Sequence, residues 1–299
     1  MTTATDTSTA ARPFPAGSIV VGVDGSATGA EAVTWAAEQA AYDHRPLTLV
    51  HAYHLDNMYW VASAGMDDTT IMDEMREEGY RLLEAAKAAA LETAPGIEVH
   101  EVLFRTDARS ALIDASREAA MVVLGSRGRG RVSSLLLGSV GVAVVGHATC
   151  PVVVRRPAAD QVRRGALVGT DLTDDSRPAL EYAYWLASVR HLPLTVLAFR
   201  ADFPWFGREA EEPSDWADRV RLAQWMTELG AKYPDVRVTE EDVEEPEARA
   251  LVTRGAEKEI VVVGSHHHGV VASALGRALA VAVVEHAPTT VVVVPEGVT

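Results

Sequence analysis

The chain has 299 residues, 27 Lys and Arg against 42 Asp and Glu, and a formal net charge of −15. At roughly 100–200 residues per domain, this length suggests two domains or one large one, and a 48% hydrophobic share with 23% charged residues describes a globular chain rather than a disordered one. The acidic balance excludes a general nucleic-acid binder, which needs a basic surface to neutralise phosphates, and the single cysteine, Cys150, excludes an intramolecular disulfide and a Cys-based zinc site.

Residues 1–17 are rich in Thr, Ala and Pro and lack a basic segment followed by an apolar one, so they read as a disordered tail and not a signal peptide. From there short β-branched runs alternate with helical stretches. Ile19–Asp24 predicts a strand, Thr28–Tyr42 a helix, Leu47–Ala52 a strand and Ile71–Glu92 a long helix stopped by Pro95-Gly96. Ile97–Phe104, Met121–Gly125 and Val152–Arg155 follow as strands, separated by helices over Arg109–Ala119 and Ser139–His147. The second half predicts strands over Ala166–Asp171, Leu194–Phe199, Val236–Val243, Ile260–Gly264 and Thr290–Val294. Helices are predicted between them over Asp175–Arg190, Pro213–Tyr233, Glu247–Ala256 and Ser273–His286. Neither Val132–Gly146 nor Ala278–Val284 reaches the ~18–20 apolar residues of a membrane helix, so a cytoplasmic protein without a membrane partner is expected.

The halves are copies. Val21-Gly22-Val23-Asp24 recurs as Val168-Gly169-Thr170-Asp171, and His44-Arg45-Pro46-Leu47-Thr48 as His191-Leu192-Pro193-Leu194-Thr195. Val122–Ser126 recurs as Val261–Ser265, and His147-Ala148 as His286-Ala287, at an offset eight residues shorter. A period of about 140–150 residues is domain-sized, far beyond a solenoid repeat. Strands alternating with helices imply parallel sheets covered on both faces. The expected fold is therefore α/β, two tandem doubly wound domains of five parallel strands each, one over 18–157 and one over 164–299.

In open α/β sheets a ligand sits beyond the carboxyl ends of the strands. Asp24 closes the first strand there, and Gly125-Ser126-Arg127-Gly128-Arg129-Gly130-Arg131 follows the fourth, leading to Gly138-Ser139 at a helix start. Glycines admit close backbone approach, a helix N-terminus offers N–H donors with Ser139 as its expected N-cap, and Arg127, Arg129 and Arg131 can neutralise phosphate. These are parts for cradling a polyphosphate, although tight turns and solvated arginines explain the same residues. No P-loop lysine follows a glycine, and Ser133 stands where a dinucleotide fingerprint needs Gly.

The spacing Gly125-x2-Gly128-x9-Gly138-Ser139 resembles the ATP-binding motif of the universal stress protein family. Val20–Ser26 is similar to that family's first strand and turn, and Cys150–Val154 to its last strand. The resemblance implies a sheet order of 3-2-1-4-5 in each copy. It also implies a site in which Gly22, Val23, Asp24 and Ala52 meet adenosine, Leu124 and Gly125 lie beneath the ribose, and Gly128, Gly138, Ser139 and Val140 hold phosphates. Arg127 and Arg129 are added from charge alone. The implied ligand is ATP, with or without Mg2+, and the implied role is a nucleotide-dependent stress-response or regulatory protein, at most a slow ATPase. Alternatives are an ATP hydrolase or nucleotidyl transferase, and a structural dimerisation module with a vestigial site. A homodimer and an unidentified regulatory protein are the expected partners.

The second copy departs from the motif. His267 stands for Gly128, Arg277 for Gly138, Ala278 for Ser139 and Phe199 for Ala52, so weak or no ATP binding is expected there. His266-His267-His268 reads as a polar loop rather than a metal site, and His51, His147 and His286 as packing or helix-end residues. Met58, Trp60 and Met66 are candidates for capping the cleft. The Val152–Val154 and Val291–Val294 runs would be exposed edges unless paired across copies or across chains.

Overall fold

The computed structural model describes residues 14–54, 68–128, 137–157, 163–199, 215–265 and 270–296. Its first copy runs β1 (Ile19–Gly22), α1 (Ala27–Asp43), β2 (Leu47–Ala52), α2 (Asp68–Thr93), β3 (Val99–Phe104), α3 (Ala108–Ala115), β4 (Met121–Gly125), α4 (Ser139–His147) and β5 (Val152–Arg155). The second runs β6 (Ala166–Thr170), a 3-10 turn over Asp174–Ser176, α5 (Arg177–Val189), β7 (Leu194–Phe199), α6 (Asp215–Lys232), β8 (Val238–Val243), α7 (Glu247–Gly255), β9 (Ile260–Gly264), α8 (Val270–His286) and β10 (Thr290–Val294).

Each copy is a doubly wound α/β unit with the order 3-2-1-4-5, and the two fuse into one ten-stranded sheet, β3-β2-β1-β4-β5-β10-β9-β6-β7-β8. Pairing is parallel within each copy and antiparallel at the junction, where Val152, Val153 and Val154 face Val293, Val292 and Val291. The apolar last strands therefore cover each other within one chain, leaving β3 and β8 as the outer edges. Burying an edge of unpaired N–H and C=O groups removes a template for misassembly.

Side chains alternate across the pleat. Val21, Val123 and Val153 enter one core with α1, α2, α5 and α6. Val20, Val122 and Val152 enter the other with α3, α4, α7 and α8. Both cores run unbroken from copy to copy, which is why the strands read as continuous Val/Ile/Leu runs.

Three arginines lock the junction. Arg156 donates from Nη2 to the carbonyls of Val284 and of Glu285, the latter at 2.8 Å, at the C-terminal end of α8. Arg155 donates to Thr290 Oγ1 at 2.8 Å. Arg190, just past α5, stacks its guanidinium 4.1 Å from the Trp35 ring centre and donates to Gln39 Oε1 at 2.8 Å.

Local chemistry moves some boundaries from those expected. α3 ends at Ala115, short of Ala119, and begins under Asp107, whose carboxylate accepts from the Arg109 and Ser110 amides. The Asp175–Arg190 stretch splits into the 3-10 turn and α5, with Pro in the first turn of α5. α8 begins before Ser273, which matters for the second copy's site.

Candidate functional site

β1 and β4 are neighbours, but the chain leaves β1 for α1 on one face and β4 for α4 on the other. That divergence opens a crevice beyond their carboxyl ends. The cleft there has a volume of about 680 Å³, within the range of small-molecule sites. Every site residue expected from the sequence lines it except Arg129, which with Arg131, Met58, Trp60 and Met66 lies outside the described residues.

The floor is made by small residues under steric constraint. A Cβ on Gly125 would stand 2.6–2.8 Å from backbone atoms of Thr28 and Gly29, so the first turn of α1 rests directly on this glycine. A Cβ on Gly22 would stand 2.9 Å from Leu124 Cδ2. Asp24 stands beside them in an Asx turn, Oδ1 accepting from the Ser26 amide at 3.0 Å and the Ser26 hydroxyl at 2.7 Å.

The loop after β4 is pinned where it leaves the strand. Thr28 Oγ1 donates to the Arg127 carbonyl, and Ser26 Oγ, whose proton goes to Asp24, lies 3.1 Å from the same oxygen. The Ser126 amide donates to Arg155 O at 3.0 Å, and Gly138 N returns to Ser126 O at 3.2 Å. These bonds bring Gly128 opposite Gly138, where a Cβ on Gly138 would be 3.8 Å from the Gly128 nitrogen.

α4 begins at this point with Gly138 as N-cap, φ −71 and ψ 156, and no side-chain cap bond. This corrects the expectation that Ser139 is the cap. Ser139 is already helical, so its hydroxyl is not committed to the cap geometry. A glycine N-cap supplies no oxygen, and the first-turn amides of Ser139, Val140 and Gly141 have no intrahelical acceptor. Backbone donors and the positive end of the helix dipole thus face the cleft.

The structure adds lining residues that the motif did not single out: Val50 and His51 from β2, Ala108 and Leu112 from α3, and Gly141 from α4. His51 is held by a 2.6 Å bond between Nδ1 and Val23 O. Its place beside Ala52 was visible in the sequence, whereas the approach of α3 was not. Asp107, which caps α3, keeps its carboxyl below the usual range because the Ser110 amide, its hydroxyl and the Arg109 amide donate to it. Burial pushes the Arg156 guanidinium below its ordinary value, and the Arg127 charge adds to this.

The second copy keeps the turn and loses the cradle. Asp171 repeats the Asx turn, accepting from Thr173 N at 3.1 Å and Thr173 Oγ1 at 2.7 Å. Phe199 is 6% exposed, and its ring would stand 2.9 Å from a Cβ on Gly169, in the space that corresponds to the first copy's floor. The Glu247 carboxylate would lie 3.2 Å from that same Cβ. α8 runs without a break from Val270 through Arg277 and Ala278. A helix interior spends its amides on its own carbonyls, so no free N-terminus stands where Gly138 and Ser139 offer theirs. His266–His268 lie outside the described residues, among which no group of three His, Cys, Asp or Glu could hold a metal ion.

The fold and cleft define a tandem, doubly wound α/β protein with a backbone-lined ligand site at the switch point of its first copy. The chain belongs to the universal stress protein family, whose sequence pattern matches it twice, at residues 16–156 and 163–295. It is 33% identical over 285 residues to a universal stress protein of Mycolicibacterium smegmatis, covering 92% of this chain and 96% of that one. It is also 33% identical over 296 residues to one of Mycobacterium tuberculosis, covering 94% and 97%. The crystal structure of a universal stress protein from Archaeoglobus fulgidus superposes with a TM-score of 0.69 at 18% identity, over 93% of this chain and 96% of that one, and shares its fold. Among the described residues no helix is long and apolar enough to cross a membrane.

Proposed function

We propose that this chain is an ATP-binding regulatory protein of the stress response, holding one ATP in the first copy. The observation that carries the reading is the uncapped start of α4, set beside Gly128 in the lining of a cleft of about 680 Å³. Gly128, Gly138, Ser139 and Val140 would hold the phosphates through backbone N–H groups, with Arg127 and Arg129 supplying positive charge. Asp24 would accept from the ribose or base, and the apolar wall of Val50, Ala52 and Leu112 suits a purine face. Mg2+ would enter on the phosphates, because Asp24 is the one carboxylate among the described lining residues and its Oδ1 is spent on Ser26.

The side chains of the lining favour a sensed nucleotide over a turned-over one. Phosphoryl transfer needs a metal-holding carboxylate and a group that positions water at the γ-phosphate; Asp24 is the one carboxylate among the described lining residues, and its Oδ1 is held by Ser26. In the second copy Phe199, Glu247 and the unbroken α8 take the corresponding space, so this reading assigns it no nucleotide. A cytoplasmic location, homodimerisation and a regulatory protein that reads the bound state belong to the proposal. Since β5 and β10 pair within the chain, a homodimer would use another surface. Nucleotide extraction from the purified protein tests the reading. ATP in about equimolar amount is expected, absent from Gly138→Glu; a wild-type protein that neither carries nor binds ATP overturns it. Turnover above ~1 s⁻¹ would make it an enzyme instead.

A further inference from the structure

Among the described residues no strand pairs with the outer side of β3 or of β8. Which backbone groups these edges present follows from the ladders. The Leu47 amide donates to Glu98 O at 2.8 Å and the Tyr53 amide to Phe104 O at 2.9 Å, so the even-numbered residues of β3 face β2. Val99, Glu101 and Leu103 therefore turn their N–H and C=O groups outward. On β8, the Leu194 amide donates to Arg237 O at 2.9 Å, so Val238, Glu240 and Asp242 do the same. Glu101 is an exposed residue, while its side chain, turned to Lys87, is 30% exposed; its peptide group is thus open to solvent.

The two edges are copies that have diverged in charge. Val99, Glu101 and Leu103 correspond to Val238, Glu240 and Asp242, at the offset that relates Val122 to Val261. β8 is guarded: Glu240, Glu241 and Asp242 stand in a row with Glu244 and Glu245 just beyond. A second copy pairing there would set carboxylate against carboxylate. β3 has no such guard. Its one carboxylate, Glu101, is neutralised by Lys87 of α2 at 2.6 Å. Beside this strand lies an exposed ring. Tyr80 is 58% exposed, one of the few large apolar residues among the described ones to be so. It precedes Lys87 in α2 by about two helical turns, on the same stripe. Its neighbour Gly79 rests on Leu103, whose Cδ1 would stand 2.7 Å from a Cβ there.

We propose that β3 is the homodimer surface of this chain: β3 of one copy pairs antiparallel with β3 of a second about a two-fold axis, and the two α2 helices meet over Tyr80. The two ten-stranded sheets then become one. This names the surface for the homodimerisation put forward under the proposed function and rests on that part of it, independently of ATP. A two-fold axis makes one strand meet itself antiparallel, which is how β5 and β10 already meet within the chain. Two chains of net charge −15 repel, so contact is favoured where each side is locally neutral, and each Glu101 brings its own Lys87. A second copy suits the edge better than an unrelated peptide, because it supplies a matching open strand and covers an exposed tyrosine on both sides.

The test is sedimentation of the full chain from low to high micromolar concentration, since one strand pair and one helix pair make an interface at the small end for dimers. A reversible monomer–dimer equilibrium is expected, with hydrogen exchange at Glu101 and Leu103 slowing as dimer forms. Glu101→Pro deletes an outward N–H and none that β2 uses, and should weaken dimerisation about tenfold or more. Glu101→Gln keeps that N–H and should stay within about threefold. Tyr80→Ala, at an exposed helix position outside the ladder, should weaken it about threefold or more, with circular dichroism confirming the fold of each variant. A chain that stays monomeric overturns this proposal and the homodimer reading together. A dimer that Glu101→Pro or Tyr80→Ala leaves unchanged, or that forms without protecting Glu101 and Leu103, overturns the β3 surface alone.

Discussion

A Cβ on Gly128 would stand 2.9 Å from Oδ2 of Asp24, so the loop after β4 closes directly onto the carboxylate that follows β1. The two segments are held there by Thr28, whose Oγ1 donates to the Arg127 carbonyl and accepts from the Arg127 amide at 3.3 Å. A side chain at Gly128 must enter the cleft or open this contact, and a carboxylate there also repels phosphate. Gly128→Asp is therefore expected to weaken ATP at least tenfold, about 1.4 kcal/mol. Gly128 is exposed, so the far-ultraviolet dichroism should not change. Fluorescent-nucleotide titration of both proteins checks this, and equal affinities would place the phosphates elsewhere.

The second copy predicts a stoichiometry. One ATP per chain is expected, since Phe199 fills the floor and α8 leaves no free amides at the position of Gly138. Phe199→Ala empties the floor but not the phosphate position, so calorimetry should still report one site. The cavity should cost about 3–5 kcal/mol, read from urea unfolding. A second site in Phe199→Ala would show that the ring alone closes that copy.

The strands were legible because a doubly buried parallel strand writes itself as a Val run, and several, such as Val152–Arg155 and Leu194–Phe199, begin and end where the composition changes. The repeat fixed the copy number, and strand-end position for Asp24 together with glycine spacing for Ser139 pointed to one site, where both line the cleft. Three things lay beyond reach. An apolar edge such as Val291–Val293 does not say whether its partner is in the same chain. Whether Ser139 or Gly138 caps α4 depends on backbone angles that either residue can adopt. The forward extension of α8 had no marker, since Val270–Ala278 lacks a capping box.

Long-range contacts were equally hidden, and Arg190 is the clearest. Its side chain is 7% exposed, stacked on Trp35, bonded to fully buried Gln39 and 3.6 Å from Glu38. Removing it strands the Gln39 oxygen and frees the inner face of α1. Arg190→Ala is expected to cost about 3 kcal/mol, as for other broken buried pairs. Hydrogen exchange should speed up at the C-terminal end of α1. ATP affinity should stay within twofold, because the cleft lies at the other end of that helix. Unchanged urea unfolding would show that the junction rests on the β5–β10 pairing alone.

Cys150 gives the chain an alkaline sensitivity. Burial raises its thiol to about 12 from an ordinary value near 9.0. The folded state therefore holds this proton more tightly than the unfolded state. Its contribution is complete below about pH 9 and is lost as pH rises from there toward 12. Urea midpoints at pH 8 and pH 10 should fall further apart in the wild type than in Cys150→Ala, where lysines and tyrosines alone contribute. A thiol reagent at pH 8 should label Cys150 only after unfolding. Rapid labelling of the native chain would contradict the burial.

The repeated His-x-Pro-Leu-Thr segments carry a strain that glycine relieves. His44 caps α1 at φ 51, with its amide bonded to Ala40 O, and His191 follows α5 at φ 54. Both side chains are exposed, so neither gains packing for the left-handed backbone, which costs an L-residue roughly 1–2 kcal/mol. Glycine at a helix C-terminus removes that cost and gives back part of it as unfolded-state entropy. His44→Gly should raise stability by about 1 kcal/mol, a shift of about 2 °C in Tm for a chain this size. His191→Gly should do the same, and the double variant should sum the two, since the sites share no partner. A loss of stability in either single variant would mean that the imidazole, not the backbone angle, is what the turn retains.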